Sequence, residues 1–419
     1  MAVAKSKTKK LPIFIISGKS PIGAFGGGYS AYAYNLAKIL TDLKYRVYIC
    51  ALGDKNEKIK TEVGTLISFK PAIPLLNIKV YALPGLPFYS FLFAEGIKKV
   101  LDKEKYKKVI VWGIGPWGFA GVILKKLLGK RIILADNYFT TTRHEWSRGV
   151  KALRISDYGL IQKLKYSMIY WSVVQFIALL ESILLKNADV IITNYKSTEN
   201  IIKKEFRIRT NKFRRLDFFA SARKRGQGKI TSSKNLKLPK KYIFYFSRHD
   251  PRKGVNFLLH AYKLILDLGY KIPLLIAGGG DMLPANKKLA EKLKISKQTK
   301  FLGFVDDPKI IMKRCSVFAF PSIEEGAGAL TINEAMEMGI PIVSTACDGI
   351  TEDIESEKEG LLVPMEDPKS MAFAITRLLD DPKFAQKLAK NARKRYRSDF
   401  SYSKMKKDIA KLTSSLESR

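Results

Sequence analysis

Apolar and polar positions along the chain fall into blocks rather than a residue-by-residue alternation. Short apolar runs, each ended by Gly, Ser, Pro or a charge, are separated by longer stretches with a hydrophobic residue at every third or fourth position. Runs apolar on both faces read as strands of a parallel sheet, and the stretches between them as the helices that cross over it. In the first half the predicted strands are residues 12–17, 46–52, 65–69, 78–82, 108–112, 131–135 and 190–193, with helices over 30–43 and 120–128 between them. Residues 222–240 (ARKRGQGKITSSKNLKLPK) are nearly all polar with Gly, Ser and Pro, the composition of a linker. A second series follows, with strands at 242–246, 274–277, 299–302, 316–320 and 341–344 and helices at 256–268, 286–293, 309–315, 369–379 and 382–397. The pattern gives an α/β fold, and 419 residues exceed what a single core holds.

One apolar stretch is long. Residues 166–185 (YSMIYWSVVQFIALLESILL) approach the length of a membrane span, but Gln175 and Glu181 interrupt them and Tyr and Trp crowd their first half. They read as a buried or interfacial helix. The first apolar run, after the basic MAVAKSKTKK, is too short for a secretory segment and reads as a buried strand.

The formal net charge of +37 admits an anionic membrane, acidic small molecules, nucleic acid, or a general lysine bias. The lysines are spread along the chain and no helix-turn-helix, zinc-finger or RNA-recognition motif is readable, which argues against nucleic acid. Cys50, Cys315 and Cys347 are isolated, so neither a zinc site nor a disulfide framework is indicated and a reducing, cytoplasmic compartment fits.

The densest chemistry lies in residues 320–341, FPSIEEGAGALTINEAMEMGIP. A strand runs into a turn with Glu324 and Glu325, then a glycine-rich loop, then a helix carrying Glu334. Glycines before a helix N-terminus leave backbone N–H groups open to an anion, and flanking carboxylates suit hydroxyls beside phosphates. Residues 246–262 (FSRHDPRKGVNFLLHAY) place Arg248 and Lys253 beyond a strand end, where they suit a pyrophosphate leaving group. Gly278, in LLIAGGGD, and Val305, in TKFLGFVD, bring backbone to the same sheet edge. In the first half, Gly26, Gly27 and Gly28 follow the first strand without matching a dinucleotide or P-loop pattern.

Taken in order, these segments resemble the family-4 type of retaining, nucleotide-sugar-dependent glycosyltransferases of the glycogen-synthase-like clan. The shared pieces are the GGG loop with Asn35-Leu36-Ala37, SRHDPRKG, AGGG, FLGFVDD, PSIEEGAGALTINEAMEMGIPIVST, DGITEDI and GLLV. The resemblance implies the GT-B architecture, two Rossmann-like domains facing a cleft. Its divisions here are a basic flexible N-terminus (1–10), an acceptor-side domain (11–221), the linker (222–240), a donor-nucleotide domain (241–400), and a C-terminal helix (401–419) packing back on the first domain.

It also implies roles. Arg248 and Lys253 hold the donor diphosphate, with Gly27 and Gly28 facing it across the cleft. Glu325 meets the donor sugar, Glu334 the ribose, and the backbone of Ala327, Gly328, Ala329 and Leu330 lines sugar and diphosphate. By this match the enzyme is a hexosyltransferase that needs no metal or cofactor beyond the nucleotide-sugar co-substrate. Its acceptor is a glycan or lipid-linked glycan. Lys-rich faces and the aromatic patches over residues 83–93 and 166–176 suit peripheral contact with an anionic membrane, at the inner face of the cell membrane.

The sequence departs from the family in two places. Eight residues, not seven, separate Glu325 from Glu334, and an extra residue absorbed in the glycine stretch leaves Glu324 facing solvent or capping the turn. Where members carry a His after an N-terminal-domain strand, this chain has Asp136-Asn137, with His144 further on as the substitute on the acceptor side. The alternative reading is a non-enzymatic basic protein that binds nucleic acid or an anionic membrane.

Overall fold

In a computed structural model of the chain, the described residues are 10–20, 28–70, 86–154, 160–217, 231–325 and 329–419. The predicted strand 78–82, Gly27, Gly326, Ala327, Gly328 and residues 222–230 of the linker lie outside them.

Among the described residues the strands form two sheets. The first contains β1 (Ile13–Lys19), β2 (Val47–Leu52), β3 (Glu57–Thr61), β4 (Gly64–Phe69), β5 (Val109–Ile114), β6 (Ile132–Tyr138), β7 (Val190–Thr193) and β8 (Phe213–Arg215), in the order β3-β4-β2-β1-β5-β6-β7-β8. The second contains β9 (Ile243–Phe246), β10 (Leu274–Ala277), β11 (Thr299–Gly303), β12 (Val317–Phe320), β13 (Ile342–Thr345) and β14 (Leu361–Val363), in the order β11-β10-β9-β12-β13-β14. Every pairing is parallel except β3 with β4. Three of these strands, β3, β8 and β14, are absent from those predicted, and β14 is three residues long. The strand β3, EKIKT, is polar and half exposed at the sheet edge, where its lysines discourage pairing with another chain, and β8 is only three residues long.

Alternate residues of one strand feed opposite faces. Ile13 and Ile15 join one cluster and Phe14 and Ile16 the other, all with no exposed surface. Burying such side chains on both faces, at roughly 1.5–3 kcal/mol each, explains why the strands read as unbroken apolar runs. The second domain has its own core, centred on Tyr242 to Phe246, Phe318 and Phe320. The residues Thr231 to Lys240, polar enough to read as linker, already lie against this domain: Thr231 bridges Val305, and Leu236 and Leu238 pack on the core.

The chain crosses back at its end. Ser401 caps the helix Tyr402–Glu417, its side chain accepting from the Lys404 N–H. Met405, Ile409, Leu412 and Leu416, spaced for one helix face, enter the first domain's core beside Tyr32, Leu36 and Ile39.

Each sheet reverses its building direction once. In the first the reversal falls between β1 and β5, in the second between β9 and β12. Such a switch point opens a crevice at the carboxyl ends of the strands, where open α/β sheets bind ligands. The loops leaving β9 and β12 are the ones that carry Arg248, Lys253, Glu324 and Glu325.

If the C-terminal helix is an integral part of the first domain's core, Ile409→Ala should cost about 2–5 kcal/mol in urea unfolding, as buried Ile truncations do. A loss below about 1 kcal/mol would show the helix to be peripheral.

Candidate active site

The two switch-point loops of the second domain are stitched by backbone. The Ile323 N–H donates to the Arg252 carbonyl at 2.8 Å and the Ser322 hydroxyl to the same oxygen at 3.0 Å. Gly254 makes the close approach feasible. Its φ is +60°, and a Cβ there would lie 2.0 Å from the Pro321 carbonyl oxygen. Gly278 does the same for β9 and β10, with φ +117° and a notional Cβ 1.8 Å from the Ser247 oxygen.

These loops assemble a buried ionic cluster. Lys253 Nζ is ion-paired with Glu325, and the Ser322 hydroxyl donates to Glu325 Oε1 at 2.8 Å. Arg252 carries three carboxylates: Glu324 at 2.8 Å, Asp250 at 3.3 Å and Glu145. Glu324 is therefore buried, 2% exposed, rather than facing solvent or capping the turn as the spacing suggested. The physical reason is that Arg252 sits within the same pair of loops and takes up the second carboxylate. Burial raises the Glu325 carboxyl, an effect that Lys253 opposes and Glu324 reinforces. Burial pushes Asp250 the same way, but Arg252, Arg248 and Lys253 outweigh it and hold the carboxyl down at about 2.

Glu145 belongs to the other domain. It lies in the first turn of the helix Thr142–Arg154, whose start is fixed from below by Glu181. The Thr142 N–H and hydroxyl donate to the Glu181 carboxylate, at 3.2 and 2.6 Å. Glu181 is the charge that interrupts the long apolar stretch. It is 1% exposed, and burial pushes its carboxyl up to about 8. The same helix delivers His144, whose Nε2 lies 3.4 Å from Asp348 Oδ1, and the other oxygen of Asp348 accepts from the Glu325 N–H at 3.1 Å. Glu145 and His144 thus span the cleft to the two loops that hold Lys253 and Glu325.

The remaining sequence-selected residues are placed as follows. Arg248 is 63% exposed along its side chain and lies 3.5 Å from Asp250. Glu334, 4% exposed, is in the helix Leu330–Met338, which Ala329 precedes; Leu330 packs against the first domain's core. Gly28 opens the helix Gly28–Asp42, and Val305 is buried beside Thr231. Asp136 and Asn137 have no exposed surface. Asn137 accepts from the Tyr32 hydroxyl at 2.5 Å and donates to Asn194 at 3.4 Å. The Asp136 carboxylate sits over Gly113 and Gly118, where any Cβ would meet it within 2.1 Å, and burial with Glu181 nearby raises its carboxyl well above the usual range. His249, fully buried, bonds Asn286 at 2.9 Å and props the glycine loop after β10 through its backbone. Burial drives its imidazole from 6.5 down to about 4. Among the described residues no group of His, Cys, Asp and Glu is arranged to hold a metal ion. The three cysteines are buried and unpaired.

Arg252, Glu145, Asp250 and Asp348 were not singled out from the sequence. Arg252 had a signal, as it stands beside Lys253 in the quoted motif. Glu145 and Asp348 had none, since their partners are 107 and 23 residues away (Arg252 and Glu325) and only the tertiary fold pairs them.

Both halves of the chain match known protein families. Residues 26–216 match the family described as Glycosyltransferase Family 4, and residues 227–395 match Glycosyl transferases group 1. An uncharacterized glycosyltransferase of Methanocaldococcus jannaschii is 32% identical over 170 residues, 40% of this chain and 43% of that protein. The chain thus spans less than half the length of that curated relative. The N-acetylgalactosamine-N,N'-diacetylbacillosaminyl-diphospho-undecaprenol 4-alpha-N-acetylgalactosaminyltransferase of Campylobacter jejuni is 29% identical over 409 residues, 96% of this chain and 99% of its own. Among solved structures, sucrose-phosphate synthase from Thermosynechococcus elongatus shares the fold, with a TM-score of 0.78 at 22% identity over 98% of this chain and 100% of that one. The two parallel-sheet domains are of the GT-B type. The chain belongs to the family-4 type glycosyltransferases of the glycogen-synthase-like clan.

Arg252 holds three carboxylates in a partly buried cluster, its own side chain 14% exposed, so removing its charge strands them. Arg252→Gln should cost about 3–5 kcal/mol in denaturant unfolding at neutral pH, with Arg252→Lys recovering part of it. A loss below about 1 kcal/mol would mean the cluster is solvated. His249 supplies a pH signature. Unfolded His249 takes up a proton as the pH drops below 6.5, whereas the folded form stays neutral to about 4. Relative to His249→Gln, the natural protein should lose about 3 kcal/mol between pH 7.5 and 4, measured as urea midpoints across that range. Parallel pH profiles would contradict the buried neutral imidazole.

Proposed function

We propose that the protein is a retaining hexosyltransferase that moves a sugar from a nucleotide-diphosphate sugar to a hydroxyl of a glycan or lipid-linked glycan. The observation that carries this reading is the buried Lys253–Glu325 pair at the switch point between β9 and β12. Lys253 is a fixed cation at a strand-end crevice, and a donor diphosphate competes with Glu325 for it. Release of Glu325 frees a carboxylate to meet the sugar hydroxyls, while Arg252 keeps Glu324 from taking its place. Arg248, exposed at the rim, adds a second charge for the leaving diphosphate. Stabilisation by these two cations stands in for a metal, Glu334 meets the ribose, and the backbone at Ala329 and Leu330 lines the sugar and diphosphate.

The acceptor side is the first domain, with His144 its nearest titratable group to Glu325 through Asp348. The C. jejuni relative is named for an undecaprenol-linked acceptor, and we assign this chain a lipid-linked or other glycan acceptor on that likeness. Contact with an anionic membrane at its inner face follows from such an acceptor. Among the described residues no helix is long and apolar enough to cross a membrane.

A panel of UDP, GDP and ADP at millimolar concentration tests the reading. One of them should raise the melting temperature, because a ligand bound only to the folded state stabilises it by mass action. Lys253→Ala should abolish that shift and lower transfer by roughly 10²-fold or more, with chelator leaving the natural enzyme active. No shift with any of the three would overturn the donor site, and loss of activity with chelator would overturn the metal-independent mechanism.

A further inference from the structure

The long apolar stretch is not absorbed by the catalytic reading. It forms one continuous helix in three parts, Leu160–Ile169, a π turn over Tyr170–Val174, and Gln175–Asn187. Along it Leu160, Leu164, Met168, Trp171, Phe176 and Leu179 are exposed by 71, 54, 71, 69, 44 and 59%. On the opposite side Val174, Ile177, Ala178, Leu180, Leu184 and Leu185 are buried against the first domain.

The exposed residues are in register with one another only because of the π turn. At about 100° per residue, an uninterrupted α-helix would scatter the six over an arc of roughly 160°. A π turn takes up one extra residue, and the five-residue step from Trp171 to Phe176 coincides with it. With that residue removed from the count the six fall within roughly 80°, a narrow stripe some 29 Å long. Six large apolar side chains along one narrow face form the kind of contiguous exposed patch that marks an interaction surface.

We infer that this stripe is the seat on which the protein lies in the interface of an anionic lipid bilayer, parallel to its plane. The inference rests on the reading of a lipid-linked acceptor and gives that acceptor's membrane a docking surface. Charge selects the occupant. No carboxylate occurs from Leu160 to Leu180, whereas Lys163 and Lys165 lie within that segment and Arg148 and Lys151 on the preceding helix, whose Arg143 and Glu145 are paired with Glu205 and Arg252. A second copy of a chain with net charge +37 is repelled by such a flank, and an anionic headgroup layer is attracted. Tryptophan and phenylalanine beside methionine and leucine suit the boundary between headgroups and acyl chains. The helix's other face stays in the protein, so its apolar stripe is one-sided.

The test uses the full chain and vesicles of phosphatidylcholine with or without phosphatidylglycerol. The natural protein should sediment with the phosphatidylglycerol vesicles, at least about ten-fold better than with phosphatidylcholine alone at moderate salt. The double variant Met168→Glu, Trp171→Glu should lose at least about ten-fold of that partition. It should keep the melting temperature and the nucleoside-diphosphate shift of the natural protein, so a failed donor site and a failed docking surface read out separately. Leu164→Gln with Leu179→Gln repeats the measurement on a milder substitution should the glutamates impair folding. Equal binding by the variants and the natural protein, or no binding of the natural protein to phosphatidylglycerol vesicles, overturns the inference. So does a dimer of the natural protein, seen by analytical ultracentrifugation, that the substitutions dissociate.

Discussion

Arg252 is the charge around which the cleft is arranged. It is a buried guanidinium with carboxylates from both domains on it, Glu324 and Asp250 from the second and Glu145 from the first. Desolvating those groups is costly, and only their mutual neutralisation in fixed geometry offsets it. That requirement fixes the loop after β12 against the loop after β9. It sends Glu324 one way, and with Glu324 held there Glu325 faces Lys253. The planar fork of an arginine suits this task better than a lysine, because it donates in several directions from one rigid group.

The constraint propagates outward through ordinary structure. Glu145 meets Arg252 because the helix Thr142–Arg154 begins where Glu181 caps it, and Glu181 belongs to the long helix whose other face is the exposed apolar stripe. One helix therefore anchors the helix Thr142–Arg154 on its inner face and exposes an apolar stripe on its outer face. Movement of that helix relative to the sheet would be felt at Thr142 first and at Arg252 next. Such a chain of contacts is a physical route from surface to site, carried by named hydrogen bonds and ion pairs.

Much of this was legible in the sequence, and the exceptions have physical causes. The parallel strands were readable because both faces are buried, leaving unbroken apolar runs such as Val47 to Leu52 and Val109 to Ile114. The polar edge strand Glu57–Thr61 was not, because a strand with one neighbour and exposed lysines carries no apolar run. The two glutamates of the loop were visible, but their division of labour was not: it depends on Arg252 and on Glu145 from the other domain. Asp136 and Asn137 were selected by position after a strand, and position alone does not reveal that Tyr32, Asn194, Gly113 and Gly118 close over them. The stretch 166–185 is apolar apart from Gln175, Glu181 and its serines. Which of its side chains face outward was settled by a π turn, a one-residue change of phase that no hydrophobic period reports.

The central claim is that Lys253 serves a donor diphosphate and that Glu325 is what the diphosphate displaces. A crystal structure with the bound nucleoside diphosphate that best stabilises the protein tests it directly. The account requires the diphosphate against Lys253 Nζ, the Glu325 carboxylate swung off that nitrogen, and Arg252 still holding Glu324. A diphosphate bound elsewhere, with the Lys253–Glu325 pair intact, would contradict it.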